Sequence, residues 1–363
     1  MKKKFSFLLT TVLAAGTLLA ACGQDDGDAD EAQGDNGAEG GSFSAKMVTD
    51  TGGVDDRSFN ESAWDGLERF GNDFDDVEVD YIQSGDASDY EPNLNRLARE
   101  DTDIVYAIGF LMEDDIRTVA EQNDDKQFAI VDTVVENEDG DTYENIANIT
   151  FAEHEGSFLV GAVAGLQTDG DHVGFIGGVE SPLIKKFENG FKAGVKAVNP
   201  DAEISIQYAQ DFNDASRGQQ IADTMYGNGA DIIYHAAGGT GNGVFTEAID
   251  RARGGEDVWV IGVDQDQHEQ GAYDDGNVTL TSMVKRVDEA VYQVSEQTMN
   301  GEYPGGEIIE FGLDDNGVGI AESQENVSEE SLQAVEEYKE MILNGDVDVP
   351  QTDEEYEEYE SNL

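Results

Sequence analysis

Ala45-Lys46-Met47-Val48-Thr49-Asp50-Thr51-Gly52-Gly53-Val54-Asp55-Asp56-Arg57-Ser58-Phe59-Asn60-Glu61 joins a short apolar run to a glycine-bearing turn and then to an amphipathic stretch reaching Phe70. The order is strand, loop, helix. Alternation of this kind belongs to a parallel sheet with crossover helices. It continues downstream, with strands expected at Val77 to Ile82, Ile104 to Ile108, Phe128 to Val131 and Ile146 to Thr150. Helices are expected between them, at Ser58 to Phe70, Tyr90 to Arg99, Glu113 to Gln122 and Glu153 to Leu166.

The pattern then repeats. A second set of strands is expected at Val173 to Gly177, Ile204 to Tyr208, Ile232 to His235, Val258 to Val263 and Val278 to Met283. Its helices are placed at Leu183 to Val198, Ala215 to Tyr226, Gly243 to Arg253 and Gln267 to Tyr273. The fold class is therefore α/β, with two Rossmann-like lobes whose ligand sites lie at the carboxyl ends of the strands. Arg286 to Met299 reads as one more helix, Glu307 to Phe311 and Val318 to Ala321 as short strands, and Ser328 to Leu343 as an acidic terminal helix. A chain returning to both lobes would hinge them together. The expected division is 44–150 with about 285–303 for the first lobe, 151–284 with about 304–325 for the second, and 326–363 as acidic helix and tail.

The N-terminus sets the address. Lys2, Lys3 and Lys4 precede an uncharged apolar run from Phe5 to Ala20, shorter than the roughly 20 residues a membrane-crossing helix needs; residues 1–21 read as a secretory signal. It ends in Leu19-Ala20-Ala21-Cys22, which resembles the bacterial lipobox and implies a diacylglyceryl group on Cys22, anchoring the protein to the outer face of the cell membrane. No second cysteine exists, so a disulfide or a cysteine metal site has no basis. From 22 to 43 the chain is polar and acidic, too poor in apolar groups to offset chain entropy, and reads as a flexible tether.

Acidic residues number 80 against 20 basic, a formal net charge of -60. Such a surface excludes nucleic acid, which needs cationic partners, and disfavours phosphorylated ligands. Its self-repulsion is screened within roughly 3 Å at about 1 M salt, so a salt-rich habitat is the expectation, checked by a melting temperature that rises from low to molar NaCl.

Enzyme signatures are missing: no Gly-x-Ser-x-Gly elbow, no His-Glu-x-x-His and no phosphate loop. The histidines 154, 172, 235 and 268 are scattered and read as structural. Binding residues are better represented. Ser58 and Glu61 have capping-box spacing, which places Phe59 and Asn60 in the first helical turn at the cleft. An aromatic face beside a primary amide, with its donor and acceptor, suits a flat heterocycle. Phe187, after Lys185 and Lys186, sits where the other lobe can close on the opposite face of that ring; each phenylalanine taken alone reads as core, and the neighbours of each favour the ligand. Asp132 and Asp264 end apolar strands; the first is placed to accept a ring N–H, a solvated loop carboxylate being its alternative, and the second to accept from two vicinal hydroxyls. Lys285, just past Thr281-Ser282-Met283-Val284, can donate to a sugar oxygen or pair with Asp264, a surface ion pair being its bland alternative. Ala237-Gly238-Gly239-Thr240-Gly241-Asn242-Gly243 brings backbone amides to a helix start without the spacing of a dinucleotide fingerprint. Asp264 roughly that far downstream keeps a nucleotide-cofactor enzyme open as an alternative, as a sugar or signal receptor is another.

Taken together, the lipobox, Asp50-x-Gly-x-x-x-Asp-x-Ser-Phe-Asn, Lys-Phe-Glu-x-Gly-Phe-x-Ala-Gly from Lys186 to Gly194, Gly262-Val263-Asp264 and Ser282-Met283-Val284-Lys285 resemble the basic membrane protein family of nucleoside-binding lipoproteins. The resemblance covers nearly all of the chain beyond the tether. It implies a type I periplasmic-binding-protein fold with three crossovers, a monomer that binds a nucleoside, purine by preference, no cofactor and no catalysis, and delivery to an ABC permease. It also implies that Phe59 and Phe187 sandwich a base whose edge Asn60 and Asp132 read. Asp264 and Lys285 would clamp the ribose, Gly238 or Gly239 would offer backbone contact, and Asp50 would line the site.

Overall fold

The computed structural model describes residues 42–274 and 276–363; the leader, Cys22 and the tether as far as residue 41 lie outside the described residues. In the first half β1 (Phe43–Thr49), α1 (Phe59–Asp73), β2 (Val77–Ile82), α2 (Tyr90–Arg99), β3 (Ile104–Ile108), α3 (Glu113–Gln122), β4 (Gln127–Val131), β5 (Ile146–Phe151) and α4 (Glu153–Gln167) follow in order. The second half opens with β6 (His172–Gly177), α5 (Pro182–Val198), β7 (Glu203–Tyr208), α6 (Ala215–Gly227), β8 (Ile232–Ala236), α7 (Gly241–Arg253) and β9 (Trp259–Asp264). After them come β10 (Ala272–Tyr273), β11 (Gly276–Asn277), β12 (Thr279–Lys285), α8 (Val287–Met299), β13 (Ile308–Phe311), β14 (Val318–Ile320), α9 (Glu329–Leu343) and α10 (Asp353–Ser361).

Two six-stranded sheets form, β13-β5-β4-β3-β1-β2 and β14-β12-β9-β8-β6-β7. Every pairing is parallel in the first; in the second only β14 runs antiparallel, beside β12. Helices cover both faces, so a central strand such as β3 is buried at every residue. The chain passes between sheets at Ala152, at Arg286 and between Phe311 and Val318, giving the three crossovers of the type I periplasmic-binding-protein fold.

Three expectations need correction. Ile308–Phe311, assigned to the second lobe by its place in the chain, instead extends the first sheet in parallel register with β5, Ile308 opposite Asn148 and Phe311 opposite Phe151. Gln267 to Tyr273 is not a helix. A single 3-10 turn at His268–Gly271 leads into the β10–β11 ladder, because the Thr279 hydroxyl takes up the Gln267 and His268 carbonyls that a helix would use. The acidic tail holds a second helix, α10, which Thr352 and Glu355 start with a true capping box.

The Lys186–Gly194 run has a packing reason. On α5, Gly190 and Gly194 lie against the backbone carbonyls of His154 and Phe158 on α4, while Gly161 of α4 meets the Phe191 carbonyl. A Cβ at any of these would force apart the two helices beneath the second sheet.

Candidate functional site

The carboxyl ends of β1, β3 and β4 face those of β8, β9 and β12 across a cavity lined from both lobes. Asp50, Phe59, Asn60, Asp132, Phe187, Gly238, Asp264 and Lys285 all line it. Gly239 does not; it packs against Phe212 and, across the cleft, Asp56.

Lys285 is the centre. Its side chain is 2% exposed, and Nζ donates to Asp132 Oδ2 at 2.7 Å while Asp264 Oδ1 lies at 3.9 Å. Three rings surround the ammonium, with centroids at 4.7 Å for Phe59, 5.3 Å for Phe151 and 5.4 Å for Phe187. Burial is the strongest influence on Lys285 and opposes its charge, yet Asp132, Asp264 and Glu153 together hold its pKa above the ordinary value. The two aspartates occupy matching strand ends, after β4 and on β9, and both are left-handed, at φ 73° and 66°. Such backbone costs about 1–3 kcal/mol and persists where surrounding contacts enforce it. Asp132 Oδ1 is buried without a hydrogen-bond partner among the described residues, an acceptor left free within the lining.

The helix start differs from expectation. The Ser58 side chain makes no cap bond. Asp56 does the capping: Oδ1 accepts from the Ser58 and Glu61 amides and Oδ2 from the Asn60 amide. With both oxygens reaching the first turn, Asp56 outcompetes a single hydroxyl, and Ser58 Oγ instead donates across the cleft to the Asp264 carboxylate. Asn60 was expected to read a ring edge with donor and acceptor. Both of its N–H groups are spent, on Asp50 Oδ1 at 2.7 Å and Asp56 Oδ2 at 2.9 Å, and its oxygen accepts from the Asp50 amide. Its part is to hold two carboxylates in place.

Burial raises the Asp50 carboxyl to about 7 and Asp264 to about 6, Lys285 opposing the second shift, and it raises Asp56 as well. The cavity gathers several carboxyl groups around one cation, which favours a neutral ligand bearing hydroxyl or N–H groups over an anion.

Phe187 is 2% exposed, part of the core stripe Ile184, Phe187, Phe191 and Val195 on α5; it backs Lys285. The half-buried aromatics of the lining are Phe59 from the first lobe, Phe212 from the β7–α6 loop, and Phe110, which meets Phe212 edge-on at 6.1 Å and 83°. Phe110 and Phe212 escaped the sequence reading, although both follow strand ends, the signal that singled out Asp132 and Asp264. Two buried histidines lie outside the lining: His235 bonds Gln267 at 3.0 Å, and burial lowers both His235 and His154 to about 4.

A family model described as "ABC transporter substrate-binding protein PnrA-like" matches residues 43–353. A CD4+ T-cell-stimulating antigen of Listeria innocua is 48% identical over 96% of this chain and 99% of that protein. The ABC transporter nucleoside-binding protein BmpA of Lactococcus lactis is 38% identical, again over 96% and 99%. Among solved structures, an ABC transporter solute-binding protein of Aeropyrum pernix superposes with a TM-score of 0.77 at 25% identity, over 87% of this chain and 96% of that one.

Proposed function

The chain belongs to the PnrA-like family of ABC transporter substrate-binding proteins, and from that premise we propose that its solute is a nucleoside, purine by preference. It is a solute-binding component and not an enzyme. The observation that carries the proposal is the pair of strand-end aspartates around Lys285, set below half-buried phenylalanines from opposite lobes. Phe59 and Phe212 take the two faces of the base, Phe212 being the half-buried ring of the second lobe, while Phe187, the partner that the resemblance implies, lines the same cavity behind Lys285. Asp132, through its unpartnered oxygen, accepts from the base edge. Asp264 and Lys285 take the ribose hydroxyls, and the Gly238 backbone and Asp50 complete the wall. The Lactococcus lactis relative, named for nucleoside binding, supports the same solute.

Closure is stabilised by contacts the solute makes to both lobes at once, and the closed form is what an ABC permease would receive. Cys22 would carry the lipid that keeps the lobes at the outer face of the cell membrane, each buried methylene contributing about 0.8 kcal/mol, and the acidic surface would suit a salt-rich medium.

Calorimetric titration of residues 42–363 in molar salt tests the reading with guanosine, inosine, adenosine, cytidine, ribose and guanosine monophosphate. Stoichiometric binding of a purine nucleoside, silence from ribose and weaker binding of the phosphate are expected. Silence toward every nucleoside in a folded sample overturns the solute while leaving the family untouched.

A further inference from the structure

A second set of polar groups bridges the lobes outside the cavity. Asn213 Nδ2 donates to the Thr51 carbonyl at 2.7 Å and Asn242 Nδ2 to the Asp56 carbonyl at 3.1 Å. Gln265 Nε2 reaches the Ser58 carbonyl at 3.2 Å. Gln267 and Gln270 both donate to the Arg57 carbonyl, at 2.7 and 3.0 Å. All the acceptors belong to one loop of the first lobe, all the donors are side-chain amides of the second, and none of these amides lines the cavity.

Two details mark this as a built contact. Arg57, whose carbonyl takes two of the bonds, stands in left-handed backbone at φ 59°, a conformation a non-glycine residue keeps only where its surroundings hold it. Gln267 is 1% exposed, and its oxygen accepts from the Val263 amide at 2.9 Å and from His235 Nε2 at 3.0 Å. Since an amide oxygen only accepts, the Gln267 NH₂ is fixed as the end that faces the other lobe before the lobes meet.

We propose that these amides are a latch: positioning residues that set the closed population, and through it the affinity, without touching the solute. Every donor and acceptor is uncharged, so the latch escapes the salt screening that weakens exposed ion pairs. It also closes on the first lobe through backbone carbonyls, which no side-chain substitution in that loop removes. The inference does not depend on which solute binds.

The double variant Asn213→Ala, Gln270→Ala is the test, because among the described residues these two side chains make no hydrogen bond other than the one across the cleft. Hydrogen exchange of the full chain without solute should quicken about tenfold in the cleft segments 50–60 and 236–241, given the net worth of two hydrogen bonds, while exchange in β3 and β8 stays unchanged. Dissociation rates of inosine and guanosine should rise by one common factor, with association rates and selectivity unaltered. Unchanged exchange in the cleft segments, or a change in the ratio of the two affinities, overturns the latch. Quickened exchange throughout β3 and β8 does so too, since the residues would then merely support the fold. If neither nucleoside binds, the solute-free exchange still decides the matter, separating failure of the latch from failure of the nucleoside reading.

Discussion

The two lobes share one strand order but spend their strand ends differently. After β4 and on β9 the equivalent residues are the same, Asp132 and Asp264, both left-handed and both beside Lys285. At the equivalent ends of β1 and β6 they diverge: the first lobe places Asp50, the second Gly178, where a Cβ would collide with the ring of Phe212. One lobe therefore uses that position for a carboxylate, and the other leaves it bare so that an aromatic can fold over it. The first lobe presents the Asp50 and Asp132 carboxyl groups and the carbonyls of the 51–58 loop, and the second presents Lys285 and the amides; the Ser58 hydroxyl, donating to Asp264 of the second lobe, runs the other way. Duplicated scaffolds give matching positions, and the chemistry of closure comes from filling them unequally.

Lys285 is where the comparison breaks most severely. Lys285→Met keeps the stem but leaves Asp132 and Asp264 buried without their cation. Removing one partner of a buried pair costs about 3–5 kcal/mol, so urea unfolding should report a loss of that size and calorimetry no measurable solute binding. Normal binding by this variant would mean that the matched aspartates are not a site.

Next comes the pair of phenylalanines on the second lobe. Phe212→Ala should weaken nucleoside binding about tenfold or more, from about 1–3 kcal/mol of lost stacking, with a small change in melting temperature. Phe187→Ala removes a core ring and should cost about 3–5 kcal/mol of stability with the weaker effect on selectivity among bases. The opposite assignment in titration and melting experiments would restore the Phe59–Phe187 sandwich.

Much of this was legible in the sequence because parallel strands buried on both faces read as unbroken apolar runs, and the residue following each run falls at the cleft by topology alone. That rule found Asp132, Asp264 and Lys285. It failed where local spacing competed with a distant group. Ser58 and Glu61 satisfy a capping pattern, but Asp56, two residues upstream, brings two oxygens to the same amides. Asn60 looked free because its saturation depends on Asp50 and Asp56 converging on it. Phe187 lies in a run, Ile184, Phe187, Phe191 and Val195, that recurs at core spacing, and that spacing is the signal that turns attention to Phe212 as the second ring. The sheet membership of β13 was not legible, since an edge strand of four residues carries no mark of its distant partner.

A smaller effect distinguishes Asp50 from its bare counterpart. Burial, the main cause, raises its carboxyl from 3.8 to about 7, so the folded chain holds this proton more tightly than the unfolded one. Its contribution to stability is whole below pH 3.8 and is lost as pH rises through about 7. Asp50→Asn cannot ionise. The melting temperature of this variant minus that of the wild type should grow between pH 5 and 8, a difference that cancels the titration of the other acidic groups. A flat difference by scanning calorimetry would place the Asp50 carboxyl in water.

The smallest expected effect concerns Ser58, whose hydroxyl was expected to serve its own helix and instead crosses the cleft to Asp264. Ser58→Ala should leave the exchange protection of α1 intact and weaken solute binding by about 1 kcal/mol, the net worth of one hydrogen bond. Asp56→Ala should do the reverse at the helix, exposing the first-turn amides at a cost of about 0.5–2 kcal/mol. If Ser58→Ala frays α1 as Asp56→Ala does, the hydroxyl is a cap after all. The first lobe would then lose the hydroxyl that binds it to the matching aspartate of the second, a bond that runs opposite to those of Lys285 and the amides, from a donor of the first lobe to an acceptor of the second.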